Sequence, residues 1–326
     1  MDLGAKLTFL ARADTYRDGT AAVDVIETHL SWVFLTERRA LKLKKPVRTS
    51  YLDHRSVASR RRVCEEEVRL NRRLAPDVYL GVVSLRCDRG ALSLGGVGEI
   101  VDWLVVMRRL PADRMLSALI ARGEAEPAHI DAVADVLIGF YRRADRCRWD
   151  AARYWRWLRT SVTSTAGELV ARGADASRVA RLTAAQLSTL ERGRDALEAR
   201  VDGGHVVDAH GDLRPEHICL ESPPVIIDCL EFDDDLRMLD AASELSFLAL
   251  ECERLGAPEL GARLLAHYRV VTGDDLDPAL LALYRSQHAC VRALIAARHL
   301  DDAPDGDGAR WSAKVGEYLR LAGELA

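Results

Sequence analysis

Residues 206–232 read VVDAHGDLRPEHICLESPPVIIDCLEF and combine two short apolar runs with a histidine-glycine-aspartate loop. The first run leads into His210, Gly211 and Asp212, and the second run, VII, ends at Asp228, sixteen residues after Asp212. Short apolar runs bounded by Gly and Pro are typical of strands. The pattern therefore predicts a small β-rich island that carries two separate carboxylates next to its strands.

Two carboxylates of this kind match the needs of phosphoryl transfer to a hydroxyl group. One carboxylate orients the hydroxyl and accepts its proton, and another holds Mg²⁺ against the nucleotide phosphates. Asp212 is the candidate for the first role and Asp228 for the second. Taken alone, each aspartate is better explained as an ordinary loop residue, so the functional interpretation depends on both together with the β-rich segments upstream.

The chain before this island changes character near residue 110. Up to that point it alternates apolar and polar residues as strands do, with one amphipathic helix, and beyond it the apolar residues recur at helical spacing. The sequence predicts an α+β chain with a small β-rich lobe over residues 1–108 and a large helical lobe over 109–326. The strand-like segments are 23–35, 40–47, 79–87, 91–100 and 101–110, and the early helix is 56–75.

The amino-acid composition limits which binding partners and which cellular compartment are expected for the protein. The 326 residues are 48% hydrophobic, which is enough for two lobes, and a net charge of −4 favours neither nucleic acid nor an anionic membrane as partner. Seven cysteines, an odd number without a CxxC pair, argue against disulfides and zinc ribbons. With no signal peptide and no long apolar run, we expect a cytoplasmic protein; the sequence gives no indication of oligomeric state.

The segments HGDLRPEHICL (210–220) and VIIDCLEFDDDLRMLDAASELSFL (225–248) resemble the core of the aminoglycoside phosphotransferase-like kinases. SWVFLTERRALKLKKPV (31–47) and CEEEVRLNRRLAPDVYLGVV (64–83) match the same bacterial branch, so the resemblance covers roughly residues 20–300. Some members carry a fused P-loop kinase domain, but GxxxxGK[ST] does not occur in this sequence. The resemblance implies a bilobal, protein-kinase-like fold and transfer of phosphate from ATP or GTP, with Mg²⁺, to a hydroxyl of a small molecule that is aminoglycoside- or sugar-like.

The same resemblance assigns roles to individual residues. Asp212 matches the aspartate of the catalytic loop, and Asp228 matches the Mg²⁺-binding aspartate. Lys42 matches the strand lysine that contacts the nucleotide phosphates, and Lys44 lies on the same strand face, where it shares or takes that role. Glu67 matches the helix glutamate that pairs with the lysine, although its neighbours at 65 and 66 are also glutamates.

One position departs from the family pattern HGDxxxxN, in which the asparagine binds a metal ion. His217 stands at this position, five residues after Asp212. Imidazole suits Mg²⁺ poorly, so either His217 contacts a phosphate or substrate oxygen, or the metal is held differently, with Glu231 as a second carboxylate. His217 and His210 therefore join Asp212 as catalytic candidates, and His217 and Glu231 join Asp228 as metal candidates.

The nucleotide-binding loop and the hinge are less distinct. The stretch ETHLSW lacks the GxGxxG pattern, so backbone N–H groups of Thr28 to Ser31 are only weak candidates to cover phosphates. A hinge that meets the nucleotide base is expected at the end of the last strand-like segment. Its residues are Met107, Arg108, Arg109 and Leu110. Asp240 is expected to cap a helix and, by resemblance, to brace the catalytic loop.

Two other functions stay open at this stage. A metal-dependent hydrolase would use a mixed set of ligands, which explains the histidine at 217 better but leaves the N-terminal pattern unexplained. The set is His210, Asp212, His217 and Asp228. A catalytically weak or inert nucleotide-binding homologue of the kinases would explain both the histidine and the missing glycine-rich loop.

Overall fold

A computed structural model describes residues 2–48, 53–301 and 308–323 of the chain. The chain divides into two compact units by its contacts. The first unit comprises Met1–Gly123 and Glu216–Leu236, and the second comprises Glu124–Pro215 and Arg237–Ala326. None of the described helices is both long enough and apolar enough to cross a membrane.

The elements follow one another in a β-rich part and a helical part. The strands are β1 Asp24–Glu27, β2 Ser31–Leu35, β3 Arg39–Lys44, β4 Tyr79–Asp88, β5 Ala91–Leu94, β6 Glu99–Arg108, β7 Val206–Asp208, β8 Ile218–Cys219, β9 Val225–Ile226 and β10 Met238–Asp240. The helices are α1 Leu3–Leu10, α2 Val57–Asn71, α3 Leu116–Arg122, α4 Pro127–Arg143, α5 Ala151–Ala171, α6 Ala176–Arg192, α7 Arg194–Asp202, α8 Ala241–Arg254, α9 Pro258–Thr272, α10 Pro278–Asp301 and α11 Gly308–Gly323.

The first unit is built on an antiparallel sheet with the strand order β1-β2-β3-β6-β4-β5 among the described residues. Strand β3 lies inside this sheet, where Lys42 pairs with Val33 of β2 and with Val105 of β6. Because side chains alternate along a strand, Leu41 and Leu43 enter one apolar cluster, and Ala40 enters another on the opposite face. Both lysines of β3 lie on the Ala40 side.

The prediction of one strand over residues 23–35 was wrong, because the chain reverses inside that segment. β1 and β2 are separate antiparallel strands, with Val25 opposite Phe34. The turn between them is closed by Thr28, whose backbone N–H donates to the carbonyl of Ser31 over 2.8 Å. The Thr28 hydroxyl accepts from the Ser31 N–H at 3.0 Å. A side chain that bonds its own neighbouring backbone favours a turn over a continuous strand.

Helix α2 packs across the sheet of the first unit. It begins after Ser56, whose hydroxyl accepts a hydrogen bond from the Ser59 N–H, as is usual for a helix N-cap. Its residues Cys64 and Val68 are buried in the cluster that also holds Ala40 of β3. The helix ends at Asn71, a few residues before the end that the sequence predicts.

Residues 216–236 belong to the first unit, although the predicted boundary after residue 108 puts them in the C-terminal lobe. Strands β8 and β9 form an antiparallel pair there, with Ile218 opposite Ile226. Val225 and Ile227 pack against the sheet-and-helix cluster of the first unit. The segment that ends in Asp228 is thus held by apolar contacts to the sheet.

The second unit is helical apart from a short antiparallel pair of β7 and β10, in which Val207 lies opposite Leu239. Its described core gathers residues of α5, α6, α8, α10 and α11, including Leu182, Phe247 and Leu294. Strand β7 leads directly into the His210 loop, and β10 leads directly into α8. The pair therefore places the start of this loop beside the N-terminus of α8.

Candidate active site

Five charged side chains of the first unit form a chain of alternating sign, which we call the charge ladder. Lys42 Nζ lies 2.7 Å from Asp228 Oδ1 and 2.9 Å from Glu67 Oε1. Lys44 Nζ lies 2.5 Å from Glu67 Oε2 and is also paired with Glu231 Oε1. The order along the ladder is therefore Asp228, Lys42, Glu67, Lys44 and Glu231, with Glu67 shared between the two lysines.

The sequence brings these residues together for simple geometric reasons. Lys42 and Lys44 are two residues apart on β3 and so point to the same face of the sheet. Glu67 points toward the sheet from α2, with its side chain only 1% exposed. The neighbouring glutamates instead face outward, where Glu65 pairs with Arg61 and Glu66 pairs with Arg69. Of the three consecutive glutamates, Glu67 is therefore the one on the lysine side of the helix.

The contacts within the ladder favour the charged forms of Lys42, Glu67 and Asp228. Burial disfavours the ammonium of Lys42, but Asp228, Glu67 and Glu231 outweigh it and raise the pKa of Lys42 well above its ordinary value. Burial likewise opposes the charge of Glu67, while both lysines lower the pKa of its carboxyl. Partial burial works against the Asp228 carboxylate, but Lys42, then His217 and Lys44, hold its pKa well below the ordinary range.

Asp228 is the member of the ladder with the greatest access to solvent, with 42% of its side chain exposed against 13% for Lys42. Its backbone has a φ of +62°, in the left-handed region that is uncommon for residues other than glycine. The Asp228 N–H donates to the hydroxyl oxygen of Tyr79, and the Cys229 N–H donates to Asn71 Oδ1. The surrounding structure therefore holds this aspartate in an unusual conformation with its carboxylate accessible.

His217 lies beside the open end of the ladder. Its Nε2 is 3.5 Å from Asp228 Oδ2, and its backbone carbonyl accepts a hydrogen bond from the Ile227 N–H over 2.9 Å. Only 9% of the His217 side chain is exposed. Of the metal candidates, Glu231 is engaged by Lys44 and His217 adjoins Asp228. Their roles toward a metal ion stay predictions.

The predicted hinge residues lie at the end of β6, and much of their backbone is already hydrogen-bonded. The N–H groups of Arg108 and Arg109 donate to the carbonyls of Val78 and Arg38, over 2.8 and 2.9 Å. The Arg108 guanidinium forms a two-point pair with Glu221 at 2.8 and 2.7 Å. Met107 is buried, and Leu110 packs against the same apolar cluster. Contact of this segment with a nucleotide base stays a prediction.

The aspartate of the His210 loop lies in the second unit. Asp212 forms a two-point pair with Arg214, at 3.0 Å from each carboxylate oxygen to a guanidinium nitrogen. His210 is fully buried, and its Nδ1 is 3.3 Å from the Asp212 N–H that donates to it. A carboxylate held by a guanidinium fork has a fixed orientation, which is what a positioned base requires.

Glu244 fixes the backbone of this loop, and the sequence reasoning missed it. Its Oε1 accepts from the N–H groups of His210 and Gly211 at 2.8 and 2.7 Å, while its Oε2 accepts from the Tyr141 hydroxyl at 2.8 Å. Glu244 is only 1% exposed. The available signal was a glutamate inside DAASELSFLAL, a helical stretch buried on every side, because buried carboxylates need partners.

The bracing role expected of Asp240 was wrong. Asp240 does cap α8, since its Oδ1 accepts from the Ala242 N–H at 2.9 Å. Its carboxylate otherwise pairs with Arg200, which also contacts Asp274, and accepts from the Tyr284 hydroxyl. These bonds join α7, α8 and α10, so Asp240 holds helices together while the loop is held one turn further along α8.

Near the same loop, His288 is a half-buried group on α10. Its Nε2 lies 3.0 Å from the Ser243 hydroxyl, and its ring stacks on Phe247 with centroids 4.6 Å apart. Burial lowers the pKa of His288 to about 4, despite the opposing influence of the Asp212 carboxylate. His288 is therefore neutral at physiological pH. Sequence reasoning did not single it out, since one histidine in an amphipathic helix carries no signal.

Comparison with known sequences gives relatives without an assigned activity. An uncharacterized protein of Mycobacterium tuberculosis is 36% identical over 283 residues, which cover 84% of this chain and 54% of the relative. An uncharacterized protein of Mycobacterium bovis matches with the same figures. The chain thus spans about half the length of the curated relatives it matches. No model of a known protein family matches the chain.

Comparison with solved structures identifies the fold. A choline kinase from Streptococcus pneumoniae has a TM-score of 0.56 at 17% identity, covering 92% of this chain and 94% of that one. A choline/ethanolamine kinase family protein from Mesorhizobium loti has a TM-score of 0.52 at 16% identity, covering 99% of each chain. A spectinomycin phosphotransferase, solved with ADP and spectinomycin, has a TM-score of 0.53 at 11% identity, covering 94% and 93%.

The chain has a kinase-like fold. At these identities the likeness concerns the fold, and it confirms the predicted α+β class, with an antiparallel sheet in the N-terminal part and helices in the C-terminal part. Within the described residues, no three His, Cys, Asp or Glu side chains are gathered as a preformed metal site.

Proposed function

We propose that this protein is a phosphotransferase that moves the γ-phosphate of ATP or GTP, with Mg²⁺, to a hydroxyl group of a small molecule. The observation that carries the proposal is Lys42, which bridges Glu67 and Asp228 within a kinase-like fold. A strand lysine paired with a helix glutamate, beside an accessible aspartate, is the arrangement with which kinases hold a metal–nucleotide complex.

The residues of the first unit suit a magnesium nucleotide. Mg²⁺ prefers carboxylate oxygens and keeps several of its waters, so one accessible carboxylate is a sufficient protein ligand. Asp228 offers that carboxylate, already ionised and at the open end of the ladder. Lys42 supplies a positive charge for the phosphates, and Glu67 keeps that charge in place. When bound, the metal ion neutralises negative charge that develops on the phosphates.

Asp212 is the proposed base. The acceptor O–H bond breaks and its proton passes to the Asp212 carboxylate, while the acceptor oxygen forms a bond to the γ-phosphorus. The bond between that phosphorus and the β-phosphate oxygen breaks, which leaves a phosphate ester and a nucleoside diphosphate. A carboxylate accepts about four hydrogen bonds, so the two from Arg214 do not by themselves saturate Asp212.

The acceptor is proposed by class only. The structural neighbours are named for choline, ethanolamine and spectinomycin, each with a kinase or phosphotransferase activity in the name. A small alcohol, including aminoglycoside- or sugar-like compounds, is therefore the proposed class for this chain. The chain length shared with the curated relatives is only about half of theirs, so any partner in the rest of those proteins lies outside this proposal.

The test is a phosphate-transfer screen against a library of small alcohols, with labelled ATP and GTP. We expect Asp212→Asn to lower turnover by about 10²- to 10⁴-fold, the usual contribution of a positioned base. Asp195→Asn, at an exposed position on α7, is the matched control and should match the wild type.

Magnesium-dependent nucleotide binding without transfer to any acceptor would favour the inert homologue. Near-normal turnover by Asp212→Asn would contradict the assignment of the base.

A further inference from the structure

We propose that Lys44 and Glu231 are positioning residues that fix Asp228 for the metal–nucleotide complex, and that neither contacts metal or phosphate. This inference rests on the proposed function, because its test measures magnesium-dependent nucleotide binding. The two ends of the charge ladder have different roles. Asp228 and Lys42 face the ligand, while Lys44 and Glu231 secure the segment that carries Asp228.

The two ends differ sharply in exposure. The side chains of Lys44 and Glu67 are each 1% exposed and that of Glu231 is 8% exposed, whereas Asp228 is 42% exposed. A ligand that arrives from solvent therefore meets Asp228 first and has no open route to Lys44. Both lysines point to the same strand face, but only Lys42 adjoins the exposed carboxylate.

The second lysine, Lys44, is held between two buried carboxylates. Its ammonium contacts Glu67 and Glu231, which are the only carboxylates the structure brings to it among the described residues. A buried ammonium that left these partners for a phosphate would leave two buried carboxylates with less compensation. For Lys42 the cost of moving from Asp228 to a phosphate is smaller, because Asp228 is solvent-accessible and a bound cation can replace the lysine as its partner.

Glu231 lies three residues after Asp228, and this spacing gives the pair its positioning role. The backbone N–H groups of Asp228 and Cys229 are fixed by Tyr79 and Asn71. Two residues after Cys229 the segment is fixed again, by the Lys44 pair. A left-handed backbone at an aspartate is costly and persists only where the surroundings enforce it. Loss of the pair would release the segment beyond Cys229 and leave Asn71 and Tyr79 as the remaining anchors, so Asp228 would be held less firmly.

The net charge of the ladder agrees with a role for Asp228 toward the metal ion and a positioning role for Lys44 and Glu231. The ladder holds two ammonium groups and three carboxylates, so it carries one net negative charge. This net negative charge can meet an incoming Mg²⁺ only at a carboxylate that solvent reaches, and in the ladder that carboxylate is Asp228. Because Glu231 is paired with Lys44, Asp228 is the carboxylate of the ladder that can interact with a metal ion.

The experiment measures nucleotide affinity with Mg²⁺ and with a chelator, by calorimetry on the full chain, and takes the ratio as the gain from magnesium. We expect Lys44→Met and Glu231→Gln each to reduce this gain by about 10- to 100-fold, the usual effect of removing a group that orients a metal ligand. Affinity for metal-free nucleotide should be unchanged in both variants. Lys42→Met is the matched comparison on the same strand face and should lose metal-free affinity as well.

A double variant, Lys44→Met with Glu231→Met, keeps the experiment decisive if a single variant does not fold. Replacement of both members of a buried ion pair by apolar residues is often neutral for stability, so the double variant should fold. Contact between the two methionines would then hold the segment in place of the ion pair, and part of the magnesium gain should return. This recovery separates positioning from ligation, because a lost metal ligand cannot be restored by methionine.

Three results would overturn the inference. A higher magnesium gain in Lys44→Met would show that a freed Glu231 binds the metal. A loss of metal-free affinity in Lys44→Met equal to that in Lys42→Met would make Lys44 a phosphate contact. An unchanged gain in both single variants would remove any role toward Asp228. If the wild type shows no magnesium gain at all, the proposed function fails first, and the inference fails with it.

Discussion

Asp228 and His217 are the residues at which this chain departs most from an ordinary loop. Asp228 has a positive φ, and His217 places an imidazole nitrogen 3.5 Å from its carboxylate. Strained residues that the surroundings hold in place are concentrated at functional sites. Here the strain coincides with the most accessible carboxylate of the ladder. The role of His217 can therefore be tested separately from that of Asp228.

His217→Asn tests whether the imidazole acts on the metal or on another group. We expect turnover to fall while the magnesium requirement of nucleotide binding stays the same, because imidazole is a poor ligand for Mg²⁺. The measurement is turnover together with nucleotide affinity across a magnesium titration. Tighter magnesium binding with full turnover would instead make residue 217 a metal ligand, since the amide oxygen is the harder donor.

The same preparation tests the hydrolase alternative. Purified wild-type protein that contains stoichiometric zinc, and loses it in His217→Asn, would favour a metal-dependent hydrolase over the proposed kinase.

At the scale of elements, two helices position the chemistry of their own unit. Helix α2 carries Glu67 to the lysine face of β3, and α8 carries Glu244 to the loop that contains Asp212. Each helix is aligned at its start by a side-chain cap, from Ser56 in α2 and from Asp240 in α8. Because a cap fixes where the first turn begins, it also fixes the direction of a carboxylate further along the helix.

Glu244→Leu should both destabilise the second unit and slow the reaction. The variant removes the acceptor of the His210 and Gly211 N–H groups and of the Tyr141 hydroxyl, at a cost of about 1–3 kcal/mol for each group that stays buried. A loop displaced by about 1 Å can lose 10²-fold in rate. Urea unfolding and turnover measure the two effects.

Glu244→Gln is the conservative control for this prediction. Its amide oxygen can still accept from the His210 and Gly211 N–H groups, so it should retain most of the stability and rate. A leucine variant as stable and as active as the glutamine variant would show that the loop does not depend on residue 244.

For the whole molecule, the buried ionisable groups set a pH range of stability. The pKa values of Glu67 and Asp228 are lowered in the fold, and those of Lys42 and Lys44 are raised. Lowered carboxyl pKa values stabilise the fold at neutral pH and lose this effect as the pH falls through the acidic range. Raised lysine pKa values stabilise it until the pH rises above the ordinary lysine range.

As the pH falls below neutrality, His288 should be the first of these groups to lower the free energy of unfolding. Its pKa is about 6.5 when unperturbed and about 4 in the fold, so between these values the unfolded chain binds a proton that the folded chain does not. The free energy of unfolding should therefore decrease as the pH falls from about 6.5 to about 4. We expect His288→Gln to flatten this part of the profile, measured by thermal unfolding at a series of pH values.

Glutamine at residue 288 can still bond Ser243, so the variant should fold normally at pH 7 and serve as its own control there. An identical slope in wild type and His288→Gln would show that other groups govern the acidic range.

The sequence by itself determined the features that depend on local period and on motif. Alternation along β3 was enough to place Lys42 and Lys44 on one face, whereas Glu67 was singled out from its two glutamate neighbours only by the family resemblance. The apolar run before Asp228 was enough to predict a strand. These features are local because each depends on residues a few positions apart, where backbone geometry fixes which side chains point the same way.

Only the tertiary structure decided which distant groups pair. Lys44 meets Glu231 across 187 positions of sequence, and the loop of Asp212 is held by Glu244 instead of Asp240. No local pattern distinguishes these acids from their neighbours. Buried charges take the partner that packing brings within reach, because burial without a partner is too costly, and packing depends on the whole unit.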